Sequence, residues 1–387
     1  MKKKEILFVS YDYFPNIGGV AVYTHELSQA LAKRGHQITI LTCYFSTSNK
    51  VEIEWDEQVK IFRIPIPKIK KIGDFTYRRR MSTFINDLQA EKKIDIIHWQ
   101  TLNKDAKMMQ YVKTTGVEVY TNHLSWFRTL YKQKKFKKIT KMIGQPDKII
   151  CPSFEVEKMS AELFGSERCV FIPNGVNFEE YQKAISHLSL LRKELGIEEG
   201  DKVIVTTNRM EPVKGMTYFI QVIPRLLEEH PNLFICLVGD GSQEQQLKNW
   251  LEEQKINLEK VKFIGRQAHH QIKQYLDLAD IYVQPSLMEG CSIGILEAMA
   301  CGNPVVACDV GGNTDILEHK KTGLLIPEQS SSAIYEAVNY LVCHPAEARE
   351  MGIRAKSKIE HELNWGHLAK KVEQIYDAAL EVSANES

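Results

Sequence analysis

A chain of 387 residues is too long for one ordinary hydrophobic core, so its length predicts two domains. Its 43% hydrophobic and 26% charged residues are typical of globular proteins, and no apolar run approaches the 18 residues of a membrane span. The net charge of +1 hides an asymmetry, because residues 1–176 carry 29 Lys and Arg against 18 Asp and Glu, whereas residues 177–387 carry 21 against 31.

The cysteines and the first residues indicate the cellular compartment of the protein. The eight cysteines form no CxxC pair and no metal-like Cys/His spacing, so we expect reduced thiols and a cytoplasmic protein. The basic head precedes only a short apolar run at residues 6–9. We interpret that run as a buried first strand rather than as a secretory signal.

Residues 5–42 predict a first β-α-β unit. A strand (EILFVS) leads through a loop (YDYFPNIGG) into an amphipathic helix ending at Gly35 and a second strand (QITILT). Gly18 and Gly19 close the loop and are expected to let a ligand approach the backbone. GxGxxG is missing, and the second strand ends at Thr42 and Cys43 with no Asp or Glu to hold a ribose, which argues against a nicotinamide enzyme.

The next stretch places one histidine at the end of a strand. After an irregular piece at residues 45–59 come a strand (KIFRIPIP), a strand at residues 95–98 and a strand at residues 117–122. His123 directly follows the last of these and is poised to touch a ligand, although most such histidines are core or surface residues. His98 fits this pattern less closely.

A basic cluster at residues 131–141 (YKQKKFKKITK) would place four lysines on one side of a helix if the segment forms one. Such a cluster is usually a solvated face, but this one would also suit a segment lying on an anionic membrane. The residues expected on or beside that face are Lys134, Phe136, Lys137, Lys138, Ile139 and Lys141.

A tight turn at residues 173–175 leads to an expected domain boundary near residue 177. The second domain begins with a strand at residues 203–207, and Arg209 and Lys214 follow in the next loop. A bidentate guanidinium and a flexible ammonium aimed at one place suit a diphosphate, although two solvated cations are the ordinary alternative.

Residues 281–309 predict a strand, a loop, a helix and a second strand. Ser292 is a plausible helix N-cap and Gly302 a plausible helix stop. The unit is therefore a crossover of a parallel sheet, in which ligands bind at the carboxyl ends of the strands.

Two carboxylates lie at that end. Glu289 is in the loop and Glu297 in the helix, with the backbone N–H groups of Cys291, Ser292 and Ile293 between them. A helix N-terminus attracts phosphate, and adjacent carboxylates can hold sugar hydroxyls. The alternative is a solvated loop Glu and a Glu favoured by the helix dipole.

The string EGCSIGILEAMACGNPVVA closely resembles the E(x)7E signature of the retaining glycosyltransferases of the GT-B fold, in the large group 1 (GT4-type) family. NRMEPVKG resembles the GR(x)4KG element of this family, with Asn208 in place of the usual Gly, which bears on how closely a ligand approaches that backbone. YTNHL and PNGV resemble further family segments, so the resemblance covers essentially the whole chain.

This resemblance implies an α/β fold with two Rossmann-like parallel-sheet domains facing each other across a cleft. Residues 1–176 would form the acceptor-side domain, with the last helix, about residues 365–387, crossing back onto it. Residues 177–364 would bind the nucleotide-sugar donor.

The resemblance also implies roles for particular residues. Two carboxylates would grip the donor, Glu289 at the sugar and Glu297 at the nucleotide ribose, while His123 would line the transfer site. The other implied donor contacts are Gly18 and Gly19 at the phosphates, Arg209 and Lys214 at the leaving pyrophosphate, and Arg266 near the nucleotide base.

The implied activity is retaining transfer of a hexose-type sugar from a UDP or GDP sugar to an acceptor hydroxyl, such as that of a glycolipid or a cell-surface polysaccharide precursor. No DxD triplet occurs, so neither a metal nor another cofactor is expected. We expect no nucleic-acid partner and peripheral contact with the cytoplasmic face of an anionic membrane through the basic N-terminal half. A nucleotide-sugar epimerase or hydrolase of the same fold, a phosphorylase and a non-catalytic binding module are the alternatives.

Overall fold

The computed structural model describes residues 2–15, 18–102, 104–123 and 125–386. The strands are β1 (Glu5–Val9), β2 (Gln37–Phe45), β3 (Glu52–Asp56), β4 (Val59–Ile66), β5 (Ile96–Trp99), β6 (Val117–Thr121), β7 (Lys148–Cys151), β8 (Cys169–Phe171), β9 (Lys202–Thr207), β10 (Leu233–Val238), β11 (Val261–Gly265), β12 (Ile281–Gln284), β13 (Val305–Cys308) and β14 (Gly323–Ile326).

The helices are α1 (Gly19–Lys33), α2 (Lys70–Glu91), α3 (Ser125–Lys132), α4 (Phe136–Ile143), α5 (Phe154–Phe164), α6 (Phe178–Gln182), α7 (Leu188–Leu195), α8 (Met216–Ile220), α9 (Ile223–Glu229), α10 (Glu244–Glu253), α11 (His269–Leu278), α12 (Ile293–Cys301), α13 (Asn313–Ile316), α14 (Ser331–Cys343), α15 (Pro345–His361) and α16 (Trp365–Glu386). Short 3-10 helices lie at Ala106–Tyr111, Pro212–Lys214 and Leu258–Lys260. None of the helices in the described ranges has the length and apolar character needed to span a membrane.

The chain divides into two compact units, one formed by Met1–Asn174 with Trp365–Ser387 and the other by Gly175–Asn364. Within the second unit, the backbone N–H of Val176 donates to the carbonyl of Leu363 at 3.1 Å. The first and last residues of that unit therefore lie side by side.

The first unit contains an eight-stranded sheet in the order β3-β4-β2-β1-β5-β6-β7-β8. Among the strands that the structure describes in this sheet, only β3 runs antiparallel to its neighbour. The prediction of an irregular segment over residues 45–59 is therefore wrong. Ile53 and Trp55 of β3 are exposed on this edge strand, so the buried apolar run on which strand prediction relies is missing.

The last helix, α16, packs against α1 and completes the core of the first unit. His98 lies fully buried beneath it, with Nδ1 2.7 Å from the hydroxyl of Tyr376 and Nε2 2.7 Å from Oγ1 of Thr121. Both ring nitrogens are thus used inside the core, and His98 joins β5 and β6 to α16.

The basic cluster does not form one continuous helix, which was the condition for its lysines to share one side. Lys134 lies between α3 and α4 with a positive φ of 54°, a conformation that ends a helix. Ile139 is fully buried, whereas Phe136 remains partly exposed. The exposed surface of this cluster therefore includes Phe136 but not Ile139, and Lys134 lies outside both helices.

The second unit contains a six-stranded parallel sheet in the order β11-β10-β9-β12-β13-β14. Alternate strand residues enter two separate apolar clusters, for example Ile204 and Leu237 in one and Val205 and Cys236 in the other. Both faces of the sheet are thus buried, as a parallel sheet requires. The prediction of two parallel-sheet α/β domains is confirmed.

Candidate active site

The crossover from β12 through α12 to β13 forms as predicted. Oγ of Ser292 accepts a hydrogen bond from the backbone N–H of Ile295 at 3.4 Å, so Ser292 is the N-cap of α12. Gly302 ends the helix in the left-handed conformation, with φ of 82°. No acidic side chain occupies the first turn of α12, so the positive end of its dipole is not neutralised there.

Glu289 and Lys214 form an ion pair beside this helix start. Nζ of Lys214 lies 2.5 Å from Oε1 of Glu289, and the two side chains are 17% and 10% exposed. Nε2 of Gln284, the last residue of β12, donates to the same oxygen at 2.9 Å. The carboxylate is therefore held from two directions in a region where water screens charge weakly.

The backbone around Lys214 is fastened to the loop that follows β12. Gly215 has a positive φ of 64°, and a Cβ at this position would come within 2.1 Å of the carbonyl oxygen of Pro285. The backbone N–H of Leu287 donates to the carbonyl of Val213 at 2.9 Å. Only a glycine at position 215 lets the two segments approach this closely.

Glu297 is buried and accepts a hydrogen bond from Nε2 of His269, the first residue of α11, at 2.7 Å. The sequence reasoning missed His269. The adjacent His269 and His270 follow a predicted strand, but nothing in that pattern indicates contact with a glutamate 28 positions later. The contact depends on α11 packing against α12.

Arg209 and Arg266 both leave the carboxyl edge of the parallel sheet and are exposed. Within the ranges that the structure describes, the Arg209 guanidinium has no hydrogen-bond or salt-bridge partner. Arg209 follows β9, the neighbour of β12, whereas Arg266 follows β11 at the end of the sheet. Both cations thus lie at the carboxyl edge of this sheet, and Arg209 follows the strand next to β12.

Asn208 replaces the glycine usual at its position, and its side chain turns inward. It is buried, and its Nδ2 donates to Oγ1 of Thr206 at 2.7 Å. A Cβ at Gly239, where φ is 132°, would lie 2.1 Å from the Asn208 carbonyl oxygen. The glycine that permits close packing of these two backbone segments is therefore Gly239, and not residue 208.

In the first unit, His123 follows β6 and is half-buried. Its Nε2 lies 2.9 Å from Oε1 of Gln100, and its ring meets that of Tyr23 edge-on at 4.7 Å. Burial lowers the pKa of His123 to about 3, so the imidazole is neutral at physiological pH.

His123 lines a cavity of about 230 Å³ at the carboxyl ends of β1, β5 and β6. Tyr11, Asp12 and Lys104 line the same cavity. The fully buried carboxylate of Asp105 holds two of its loops by accepting from the backbone N–H of Tyr11 and of Thr101, each at 3.0 Å. Burial raises the pKa of Asp105 to about 7. Asp105 also was missed by the sequence reasoning.

Gly18 and Gly19 lie at the start of α1, beyond residues 16 and 17, which are outside the described ranges. Gly18 is extended, with φ of −176°, and a Cβ there would meet nothing within 4 Å. No atom of the described residues thus fills the space beside Gly18, and close approach of a ligand there stays a prediction. The start of α1 has neither a side-chain cap nor an acidic residue in its first turn.

Comparison with known families gives matches over most of the chain. The model of the glycosyl transferases group 1 matches residues 189–358, and that of glycosyltransferase family 4 matches residues 17–180. A glycosyltransferase of Methanocaldococcus jannaschii is 24% identical over 98% of this chain and 99% of its own length. A phosphatidylinositol N-acetylglucosaminyltransferase polypeptide of Arabidopsis thaliana is 27% identical over 98% of this chain and 83% of its own length.

Solved structures share the fold. Sucrose-phosphate synthase from Thermosynechococcus elongatus has a TM-score of 0.82, with 19% identity over 98% of this chain and 100% of the other. An Anabaena protein solved in complex with UDP-glucose has a TM-score of 0.75, with 19% identity over 97% of this chain and 99% of the other. The chain is therefore a glycosyltransferase of the group 1, GT4-type family, and it has the GT-B fold.

Proposed function

We propose that the protein is a retaining, metal-independent transferase that moves a hexose-type sugar from a UDP or GDP sugar to an acceptor hydroxyl. The observation that carries this proposal is the Lys214–Glu289 ion pair beside the uncompensated N-terminus of α12. It supplies a cation and backbone N–H groups for a diphosphate and a carboxylate for a sugar within one short region.

The chemistry needs charge stabilisation at two places. The bond from the anomeric carbon to the donor phosphate breaks as the bond to the acceptor oxygen forms, and the acceptor proton passes to a donor phosphate oxygen. Negative charge on the phosphates would be met by Lys214, Arg209 and the helix start. Positive charge on the ring would be met by Glu289.

Other side chains have supporting roles in this proposal. Glu297, oriented by His269, would accept hydrogen bonds from the nucleotide ribose. His123 would contact the transferred sugar as a neutral group, which suits a partner that becomes cationic in the transition state. Gly18, Gly19 and Arg266 would make the donor contacts that the family resemblance implies.

The donor proposal draws support from the Anabaena protein, which was solved with UDP-glucose. Incubation with labelled UDP- and GDP-hexoses, with and without membrane extract, tests it. Slow donor hydrolysis alone and faster sugar transfer with extract support a transferase. Equal turnover without any acceptor favours the epimerase or hydrolase alternative. A product whose anomeric configuration matches that of the donor supports retention.

We further propose that the acceptor is lipid-linked and that the protein is cytoplasmic and contacts the cytoplasmic face of the membrane. Trp126 is 50% exposed, and Nζ of Lys138 lies over its ring at 5.4 Å. Lys107, on a 3-10 helix packed against α2 and α4, has its pKa lowered by burial and by the charges of Arg78 and Lys138. Clustered cations beside an exposed indole suit an anionic bilayer surface.

Co-sedimentation with vesicles tests the membrane contact. The wild-type protein should bind phosphatidylglycerol vesicles but not phosphatidylcholine vesicles, and salt should weaken this binding. Trp126→Ala with Lys138→Gln should reduce it, whereas Arg349→Gln, which changes an exposed cation of the second unit, should not. Binding that is equal for both vesicle types would contradict the proposal.

A further inference from the structure

One buried amide touches both the sugar-binding carboxylate and the helix cap. The side chain of Gln284 is almost wholly buried, and its Nε2 donates to Oε1 of Glu289 at 2.9 Å and to Oγ of Ser292 at 2.5 Å. Because a primary amide has two N–H bonds, this pair of contacts uses its full donor capacity.

The orientation of that amide is fixed from behind. The hydroxyl of Tyr282 donates to Oε1 of Gln284 at 2.9 Å. A phenol has one proton, so Oγ1 of Thr207, 2.8 Å from the Tyr282 oxygen, must be the donor in the remaining contact. Burial raises the pKa of Tyr282 well above its ordinary value, so this phenol keeps its proton. The hydrogen bonds from Thr207 to Tyr282, from Tyr282 to Gln284 and from Gln284 to Glu289 therefore all donate in the same direction, and we call this chain the relay.

The relay occupies space that a side chain on α12 would otherwise fill. A Cβ at Gly294 would lie 2.6 Å from the Tyr282 hydroxyl, 3.2 Å from Oε1 of Gln284 and 3.2 Å from Oγ1 of Thr207. The glycine in the first turn of α12 is thus required by the relay and not by its own backbone conformation.

The relay leaves two groups unoccupied. Oε1 of Glu289 accepts from both Lys214 and Gln284, whereas Oε2 accepts no hydrogen bond from the described residues. Oγ of Ser292 accepts from Gln284 and from the backbone of Ile295, so its own proton remains to be donated. One free acceptor and one free donor thus lie at the start of α12.

We propose that Gln284, oriented by Tyr282 and Thr207, is a positioning residue that presents Oε2 of Glu289 to the transferred sugar and the Ser292 hydroxyl proton to the leaving diphosphate. This inference rests on the proposed function. Gln284, at the end of β12, would hold the Glu289 carboxylate in place. Without it, Glu289 would become mobile and lose its orientation as Lys214 turns toward the diphosphate.

Three variants test the relay in the full-length protein, with the donor on which the wild type acts in the UDP- and GDP-hexose panel. Tyr282→Phe should lower kcat about tenfold, the size of one lost hydrogen bond. The affinity for free UDP or GDP, measured by calorimetry, should fall by less than kcat, because Lys214, Arg209 and the backbone N–H groups of α12 still contact the diphosphate. Gln284→Glu places a second carboxylate beside Glu289, so the pair retains a proton to higher pH and the acid limb of the pH–rate profile moves upward. Gln284→Met should lower kcat without moving that limb.

Tyr335→Phe is the matched control, because its hydroxyl donates to Glu229 elsewhere in the same unit. It should leave kcat and the pH profile unchanged. Equal pH profiles for Gln284→Glu and Gln284→Met, or loss of nucleotide affinity in parallel with kcat, would overturn the relay alone. A wild-type protein that transfers no sugar from any donor would overturn the proposed function and the relay with it.

Discussion

Nζ of Lys214 and Oε1 of Glu289 lie 2.5 Å apart, although 75 positions separate the two residues in the sequence. Both side chains are largely buried, so each charge depends on the other in the absence of a ligand. A diphosphate that recruits Lys214 would therefore leave Glu289 for the sugar.

Changing either member of this pair should reduce turnover strongly. Lys214→Ala and Glu289→Ala should each lower kcat at least about a hundredfold, as expected for loss of one charge-stabilising group. Steady-state kinetics with the donor identified in the panel measures the effect. Lys248→Ala removes a partly exposed helical ion pair with Glu244 and should leave kcat unchanged. Near-normal rates for Lys214→Ala or Glu289→Ala would refute their roles.

Replacement of His269 should affect donor binding more than chemistry. His269→Ala removes the donor that orients Glu297, so KM for the donor should rise several-fold to about tenfold while kcat changes little. The adjacent His270 is exposed, and His270→Ala is the matched control. Identical kinetics for the two variants would show that the Glu297 contact does not serve the ribose.

Gly215 should be essential for a steric reason. Gly215→Ala would force a Cβ against the Pro285 carbonyl and displace Lys214, so both stability and activity should fall. Gly196 also has a positive φ, 78°, but open space around it. Gly196→Ala should cost about 1–2 kcal/mol of unfolding free energy without loss of activity. Comparable activity losses in the two variants would contradict this account.

The buried His98 predicts a pH dependence of stability. Burial lowers its pKa to about 3, below the ordinary value of 6.5. The folded state therefore binds fewer protons than the unfolded state between these pH values, and stability falls on acidification by up to about 1.4 kcal/mol per pH unit. Denaturant unfolding of His98→Asn at pH 7 and pH 5 should show a smaller acid-induced loss than in the wild type. Parallel losses would contradict the prediction.

Metal removal should leave the reaction intact. Lys214, Arg209 and the start of α12 are proposed to meet the diphosphate charge, so turnover after dialysis against EDTA should equal that of the untreated protein. Restoration of a lost activity by Mg²⁺ or Mn²⁺ would instead assign the diphosphate to a metal.

Local signals were sufficient for the helix and strands around the candidate site. Ser292 and Gly302 bound α12 because capping and left-handed stops depend on residues within one turn. The edge strand β3 and the break at Lys134 escaped prediction for the opposite reason. Pairing with β4 stabilises an exposed strand, and a left-handed lysine has no sequence signature.

The contacts that complete the site could not be read locally. In the sequence, Gln284 is only the last residue of a predicted buried strand. Its amide contacts Glu289 because the loop after β12 folds back and brings the carboxylate beside it. The His269–Glu297 contact likewise requires α11 and α12 to pack side by side. Pairs of this kind follow from topology, which a pattern of residue types does not specify.

A crystal structure with UDP-glucose or GDP-mannose bound tests the central claim most directly. We expect diphosphate oxygens at the N–H groups of Ser292 and Ile293 and near Lys214, with sugar hydroxyls on Glu289 and the ribose on Glu297. A donor bound with its diphosphate away from the start of α12, or with no sugar hydroxyl on Glu289, would contradict the proposed function.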